Sequence, residues 1–236
     1  MEMVVARSAS RADDVSMAGL RRKGAKRGKR ASIEPYEIRF TVARSLGPCS
    51  EPEEYLVHIQ AEIVQLTEDG KTPVGNVDAY VVAADRAMDE GEDIRLVCDD
   101  IGDGLEDLCG LVFDGSGSLS EGVGDGCAGN DVLFLRQATV HRDHRGQRIG
   151  LAAVLRVIED FGRGCAVAVM KPFPLQLSTG RDRSVDVEGF EPDDALARAK
   201  LERHWEKLGF TRLNDSALFV LDLQAQRPGF LDLFSD

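Results

Sequence analysis

The stretch that most constrains this chain is residues 132–161, where an apolar, β-prone run passes through a basic, glycine-punctuated turn into a helix-forming segment. Val132, Leu133, Phe134 and Leu135, with Thr139 and Val140 beyond them, have the composition of a largely buried strand. Leu151 to Phe161, LAAVLRVIEDF, reads as a helix. Between them stand Arg145, Gly146, Gln147, Arg148, Ile149 and Gly150. The first amides of a helix have no partner within it, and the positive end of its dipole faces outward. Such a terminus binds phosphate or pyrophosphate through backbone alone. Two commoner phosphate cradles are excluded. Lys71-Thr72 lacks the glycines of a GxxxxGK[ST] loop, and the turn has no GxGxxG.

Val140, Arg145, Gly146 and Gly150 fall on the pattern of a strand ending in Val, then x-P-x-x-R-G-x-G-x-G/A. The turn thereby resembles the acetyl-coenzyme A binding motif of the GNAT acyltransferase superfamily. Arg148 departs from it, standing where the family has its central glycine. A second segment, ALARAKLERHWEKLGF at 195–210, is similar to the family's later helix, with Trp205, Gly209 and Phe210 supplying an aromatic followed by x-x-x-G-F. The resemblance spans about residues 37 to 223.

That resemblance implies an α/β (α+β) fold, a mixed and mostly antiparallel twisted sheet with helices on both faces and splayed central strands. It implies an acyl-CoA whose pyrophosphate meets the amides of 146–150 and whose pantetheine lies along the strand ending at Val140. The cofactor-binding set is then Ala138, Thr139, Val140, Arg145, Gly146, Gln147, Arg148, Ile149, Gly150 and Trp205. Arg148 is expected in right-handed helical backbone, with its guanidinium reaching a phosphate oxygen. The implied reaction is direct acetyl transfer from acetyl-CoA to a primary amine, on a small molecule or a protein, with no metal and no covalent enzyme intermediate. A base must deprotonate the ammonium and an acid must protonate the leaving thiolate. Glu62, Asp78 and His141 are the base candidates and Tyr80 the acid candidate. The family's usual tyrosine donor is replaced by Trp205, whose indole N–H is too weak an acid for that role. The alternative is therefore a GNAT-fold module that binds acyl-CoA or a partner with little or no turnover.

The remaining elements follow from periodicity. Residues 36–44 and 55–66 alternate as strands, a turn at 68–71 follows, and 74–82 returns as a third. Residues 165–170, CAVAVM, and 218–223, LFVLDL, are further buried strands, with a polar loop over 175–192 between the first of them and a helix opened by Pro192, Asp193 and Asp194. Residues 94–113 have near-helical apolar spacing and predict one or two short helices, and 115–130 reads as a flexible Gly/Ser-rich loop. They belong to an acidic insertion, 85–131, with fourteen Asp or Glu against Arg86 and Arg95. It reads as solvated, because its D-x-G-D-x-G spacings never complete a calcium loop.

Charge is strongly uneven. The chain carries a formal −12, yet residues 1–34 hold nine Lys or Arg against four acids, leaving 20 against 37 for the other 202 residues. The tail reads as a disordered basic arm, with residues 21–30 open to nucleic acid or an acidic partner, or to the acidic body itself. A transit peptide fits less well, since Asp13 and Asp14 interrupt it. Five scattered cysteines without a CxxC pair read as reduced thiols, with disulfide and zinc roles disfavoured. No apolar run is long enough to span a bilayer and no secretory signal is evident, so a cytoplasmic enzyme without membrane contact is expected.

Overall fold

The structure is a computed structural model that describes residues 35–43, 52–99, 105–173, 193–214 and 216–234, all within one compact unit, Ala31–Asp236. The basic arm and the whole of the polar loop at 175–192 lie outside the described residues.

Seven strands form one sheet in the order β1-β2-β3-β4-β5-β7-β6. They are β1 Tyr36–Ala43, β2 Leu56–Thr67, β3 Gly70–Val82, β4 Val132–Val140, β5 Val167–Met170, β6 Thr211–Arg212 and β7 Phe219–Asp222. Every adjacent pair is antiparallel except β4 and β5. The first three strands are a meander, because Glu68 and Asp69 join β2 to β3 in a two-residue turn. The parallel pair needs a crossover, which α4, Ile149–Phe161, supplies.

Strand alternation divides the core into two layers. Leu133 and Leu135 of β4, with Ala168 and Met170 of β5, face α4; Val132, Phe134, Val167 and Val169 face the other way. On the first side Leu151, Val154, Leu155 and Ile158 of α4 follow helical spacing onto the sheet, and Ile59, Ala61, Ile63, Val77 and Ala79 meet them. Helix α5, Asp194–Trp205, joins this layer through Trp205. Its N-cap is Asp193, whose side chain accepts from the Leu196 amide at 2.8 Å. Gly209, in left-handed backbone at φ 92°, closes its far end after a short 3-10 turn, Glu206–Leu208.

The second layer corrects the reading of 85–131 as a solvated insertion. Three short helices, α1 Ala84–Glu90, α2 Ile94–Asp99 and α3 Leu105–Val112, cover this face of the sheet. Ala84, Ala87, Ile94, Val97, Val112, Phe113 and Val123 are buried, whereas Asp89, Glu92, Asp93, Asp99, Asp114 and Glu121 are exposed. The acids are the outer face of a core layer. Helix α1 had no separate sequence signal. The 115–130 segment is also more than a flexible loop: Asn130 accepts from the Leu119 amide at 3.0 Å and donates to Asp85 at 2.8 Å, and Phe113 bridges Leu119. Cys98 and Cys109 form a disulfide between α2 and α3, overturning the reduced-thiol reading for two of the five cysteines. Spacing could not reveal the pair, because it depends on how the two helices fold back on each other. Among the described residues no helix is long and apolar enough to cross a membrane.

Candidate functional site

Strand β4 is where the sheet opens. It pairs with β5 only from Val132 to Leu135, opposite Val167 to Met170, after which Pro172 interrupts any ladder on that side. Its remaining residues continue against β3, Gln137 opposite Asp78 and Val140 opposite Gly75. Residues 136–140 therefore leave one backbone edge without a strand partner among the described residues. The register slips between Asp78 and Ala79, so that Arg136 is an extra residue on β4, a bulge at the point where β4 and β5 part. Gly75 permits the close β3–β4 approach, since a Cβ there would lie 2.3 Å from the Thr139 carbonyl oxygen.

The turn after β4 is built from its own backbone. The His141 amide donates to the Val74 carbonyl at 2.7 Å, and Arg142–His144 form a 3-10 turn. The Arg145 Nε donates back to the Val140 carbonyl at 2.9 Å, which closes the loop over the strand end. Gly146 takes φ 78°, a conformation that favours glycine. Arg148 corrects the expected right-handed geometry: it is the N-cap of α4 in left-handed backbone, φ 60° and ψ 12°. Its Nη1 donates to the Leu233 carbonyl of the C-terminal segment, so the guanidinium is anchored on protein.

A cavity of about 720 Å³ lies between the open edge of β4, the start of α4, Lys171–Phe173 and one side of α5. Every residue of the cofactor-binding set except Gln147 lines it: Ala138, Thr139, Val140, Arg145, Gly146, Arg148, Ile149, Gly150 and Trp205. Gln147 is exposed on the same turn, where its side chain accepts from the Tyr36 hydroxyl at 3.4 Å. Sequence reasoning missed Arg136, Lys171, Lys200 and Lys207, which with Arg145 and Arg148 bring six Lys or Arg to the walls, and among the described residues neither Asp nor Glu lines them. Lys200 and Lys207 are seven apart across α5 and its 3-10 extension, a spacing of about two helical turns that could have found them. His204 also lines the cavity, edge-on to Trp205 at 4.9 Å. Burial, with Lys207 nearby, pushes its pKa down to about 4, so it is neutral at physiological pH.

The catalytic candidates are divided. Antiparallel pairing puts His58 opposite Tyr80, Gln60 opposite Asp78 and Glu62 opposite Asn76, and this polar row faces away from α4. Asp78 and Tyr80 come together there with His58, which the sequence reading did not select. The His58 Nε2 lies 2.5 Å from Asp78 Oδ1, Arg136 Nη1 donates to Asp78 Oδ2 at 2.7 Å, and the Tyr80 ring stacks on His58 at 4.5 Å and 7°. Glu62 is further along β2, half-exposed and 3.7 Å from Arg39. His141 is exposed past the end of β4 and joins neither group. No single strand signals His58, because its partners become visible only when the β2–β3 register is known.

Comparison of the chain with protein-family models, with curated proteins and with solved structures finds no match in any of the three.

Proposed function

We propose that the chain is an acyl-CoA-dependent N-acyltransferase with a GNAT-like fold, transferring an acetyl group from acetyl-CoA to a primary amine by direct attack. The observation that carries this reading is the cavity: an anion-attracting pocket in a chain of formal charge −12, walled by six Lys or Arg, a helix N-terminus and an unpaired strand edge. Each wall suits a different part of one ligand. The amides at the start of α4 and the surrounding cations favour a pyrophosphate. The β4 edge at 136–140 offers alternate N–H and C=O groups to the amides of an extended pantetheine, as an added strand would. The acyl-CoA itself supplies the activated thioester. A backbone N–H at Ala138 to Val140 would stabilise negative charge developing on its carbonyl oxygen. The volume is within the range of about 300–1,000 Å³ usual for small-molecule sites.

One observation favours the second reading, a binding module without turnover. Trp205, 8% exposed, lines the cavity where the resemblance would place a proton-donating tyrosine, and its indole cannot serve as that acid. A thiolate is a good enough leaving group for transfer to proceed without a dedicated donor, so the enzyme reading remains the conclusion.

Trp205 also supplies the test. It is the chain's single tryptophan and it lines the cavity, so its emission should change on titration with acetyl-CoA and saturate at one ligand per chain. Release of CoA thiol in the presence of a primary-amine panel then separates enzyme from module. Absence of both an emission change and binding heat at millimolar acetyl-CoA overturns the reading.

A further inference from the structure

We infer that His58, held by Asp78, is the group that takes the proton from the incoming amine; this rests on the acyltransferase reading above. An ionised carboxylate can only accept hydrogen bonds, so the 2.5 Å contact with Asp78 Oδ1 assigns the proton to His58 Nε2 and leaves the lone pair on Nδ1. The ring is fixed on its other side by the stacked Tyr80. Asp78 is itself held, because Arg136 donates to its second oxygen at 2.7 Å. The side chains of His58 and Asp78 are 35% and 13% exposed, so the pair is sheltered yet open to a solute.

The position of Arg136 links this pair to the proposed acyl-CoA site. Arg136 is the bulge residue at the point where β4 and β5 part, and it lines the cavity while it grips Asp78. One side chain thus connects the acyl-CoA side of the sheet to the His58 side. His58 does not itself line the cavity, so the amine is placed on the sheet face opposite α4, with the bulge at Arg136 as the point where it meets the acyl-CoA. The other histidines are engaged differently: His144 Nδ1 is 2.9 Å from the Tyr36 hydroxyl, His204 is neutralised by burial against Trp205, and His141 lies beyond the strand end. Among the described residues, the charged and titratable groups in contact with His58 or its partner include Asp78 and Tyr80 on β3 and Arg136 on β4. Further along the sheet lie Glu62 with its partner Arg39, and Glu37 with Lys71.

The step balances without any further reactant. Nδ1 of His58 accepts one proton from R–NH3+, and the neutral nitrogen forms its bond to the thioester carbonyl carbon. The C–S bond then breaks, the nitrogen's second surplus proton passes through water to the departing sulfur, and His58 returns its own proton to solvent. Asp78 is a positioning residue in this scheme, orienting the imidazole without touching the amine.

The test uses full-length protein, acetyl-CoA and the amine panel. His58→Gln should lower kcat/KM by about a hundredfold or more, the usual scale for a general base, and the acidic limb of the pH–rate profile should disappear. Acetyl-CoA affinity, measured by calorimetry, should stay within about twofold, which also reports that the variant is folded. Asp78→Asn should lower kcat more than it changes KM and shift that limb. Wild-type turnover with His58→Gln retaining both rate and profile overturns the assignment. So does wild-type binding of acetyl-CoA with no thiol release for any amine, although cofactor binding then stands. Failure of the wild type to bind acetyl-CoA removes the acyltransferase reading and this inference with it. Should His58→Gln not fold, His58→Asn carries the same expectations.

Discussion

Arg148 concentrates the difference between reading a residue by type and reading it by backbone. A left-handed conformation costs an L-residue roughly 1–2 kcal/mol, which glycine avoids. The chain adopts that conformation at φ 60° with an arginine and anchors the side chain on the Leu233 carbonyl. Leu233 is buried in the α4 layer, so the contact ties the C-terminal segment to the start of α4. Arg148→Ala keeps the backbone strain and loses the anchor; Arg148→Gly loses the anchor but relieves the strain. The glycine variant should therefore be the more stable of the two by about 1 kcal/mol in urea denaturation. Equal midpoints for the two would show that position 148 does not require positive φ. Position 148 thus combines a backbone that favours glycine with an arginine side chain, which residue type alone could not disclose.

Among the elements, legibility tracked how local the determining physics was. Strand β4 and helix α4 were readable because the apolar run, the Arg145-Gly146 turn and the 151/154/155/158 spacing each act within a few residues. Helix α5 was readable from Asp193 and Gly209, its two ends. In the α1–α3 layer the spacing over 94–113 disclosed α2 and α3 as short helices, but α1 and the burial of the layer were not readable, since its acids dominate the composition while the residues that bury it are interspersed singly. Neither was the Cys98–Cys109 bridge, which closes a loop eleven positions long. Chain-entropy arguments give a loop of that length about 3 kcal/mol of stabilisation. Urea unfolding equilibrated with excess dithiothreitol should accordingly lose about 3 kcal/mol against the oxidised protein. Acetyl-CoA affinity of the folded, reduced protein should not move, because α2 and α3 pack on the sheet face opposite α4 and contribute nothing to the cavity wall. A reduced protein of unchanged stability would place the bridge outside the folding free energy. Coupled loss of acetyl-CoA affinity would mean that the two layers are not energetically separate.

At the scale of the whole molecule, two electrostatic fields of opposite sign act on an anionic ligand. The chain as a whole carries −12 and exposes acids across α1–α3, while the cavity gathers six cations on the other side of the sheet. Screening separates the two by distance. The Debye length falls from about 10 Å at 0.1 M to about 3 Å at 1 M salt. Added salt weakens both the repulsion by the acidic surface and the attraction by the cavity during approach, and weakens the cavity contacts again in the bound state. The two changes oppose each other on approach, whereas the residence of the bound ligand feels only the weakened cavity contacts. Stopped-flow measurement of Trp205 emission should find that raising salt from about 0.1 to about 1 M weakens acetyl-CoA binding chiefly through a faster koff. The change in kon should be the smaller of the two, and Lys200→Glu should reproduce the koff increase at low salt. A steep fall in kon at constant koff would mean that the cavity cations steer the ligand from a distance, and that the acidic body exerts no opposing field on it.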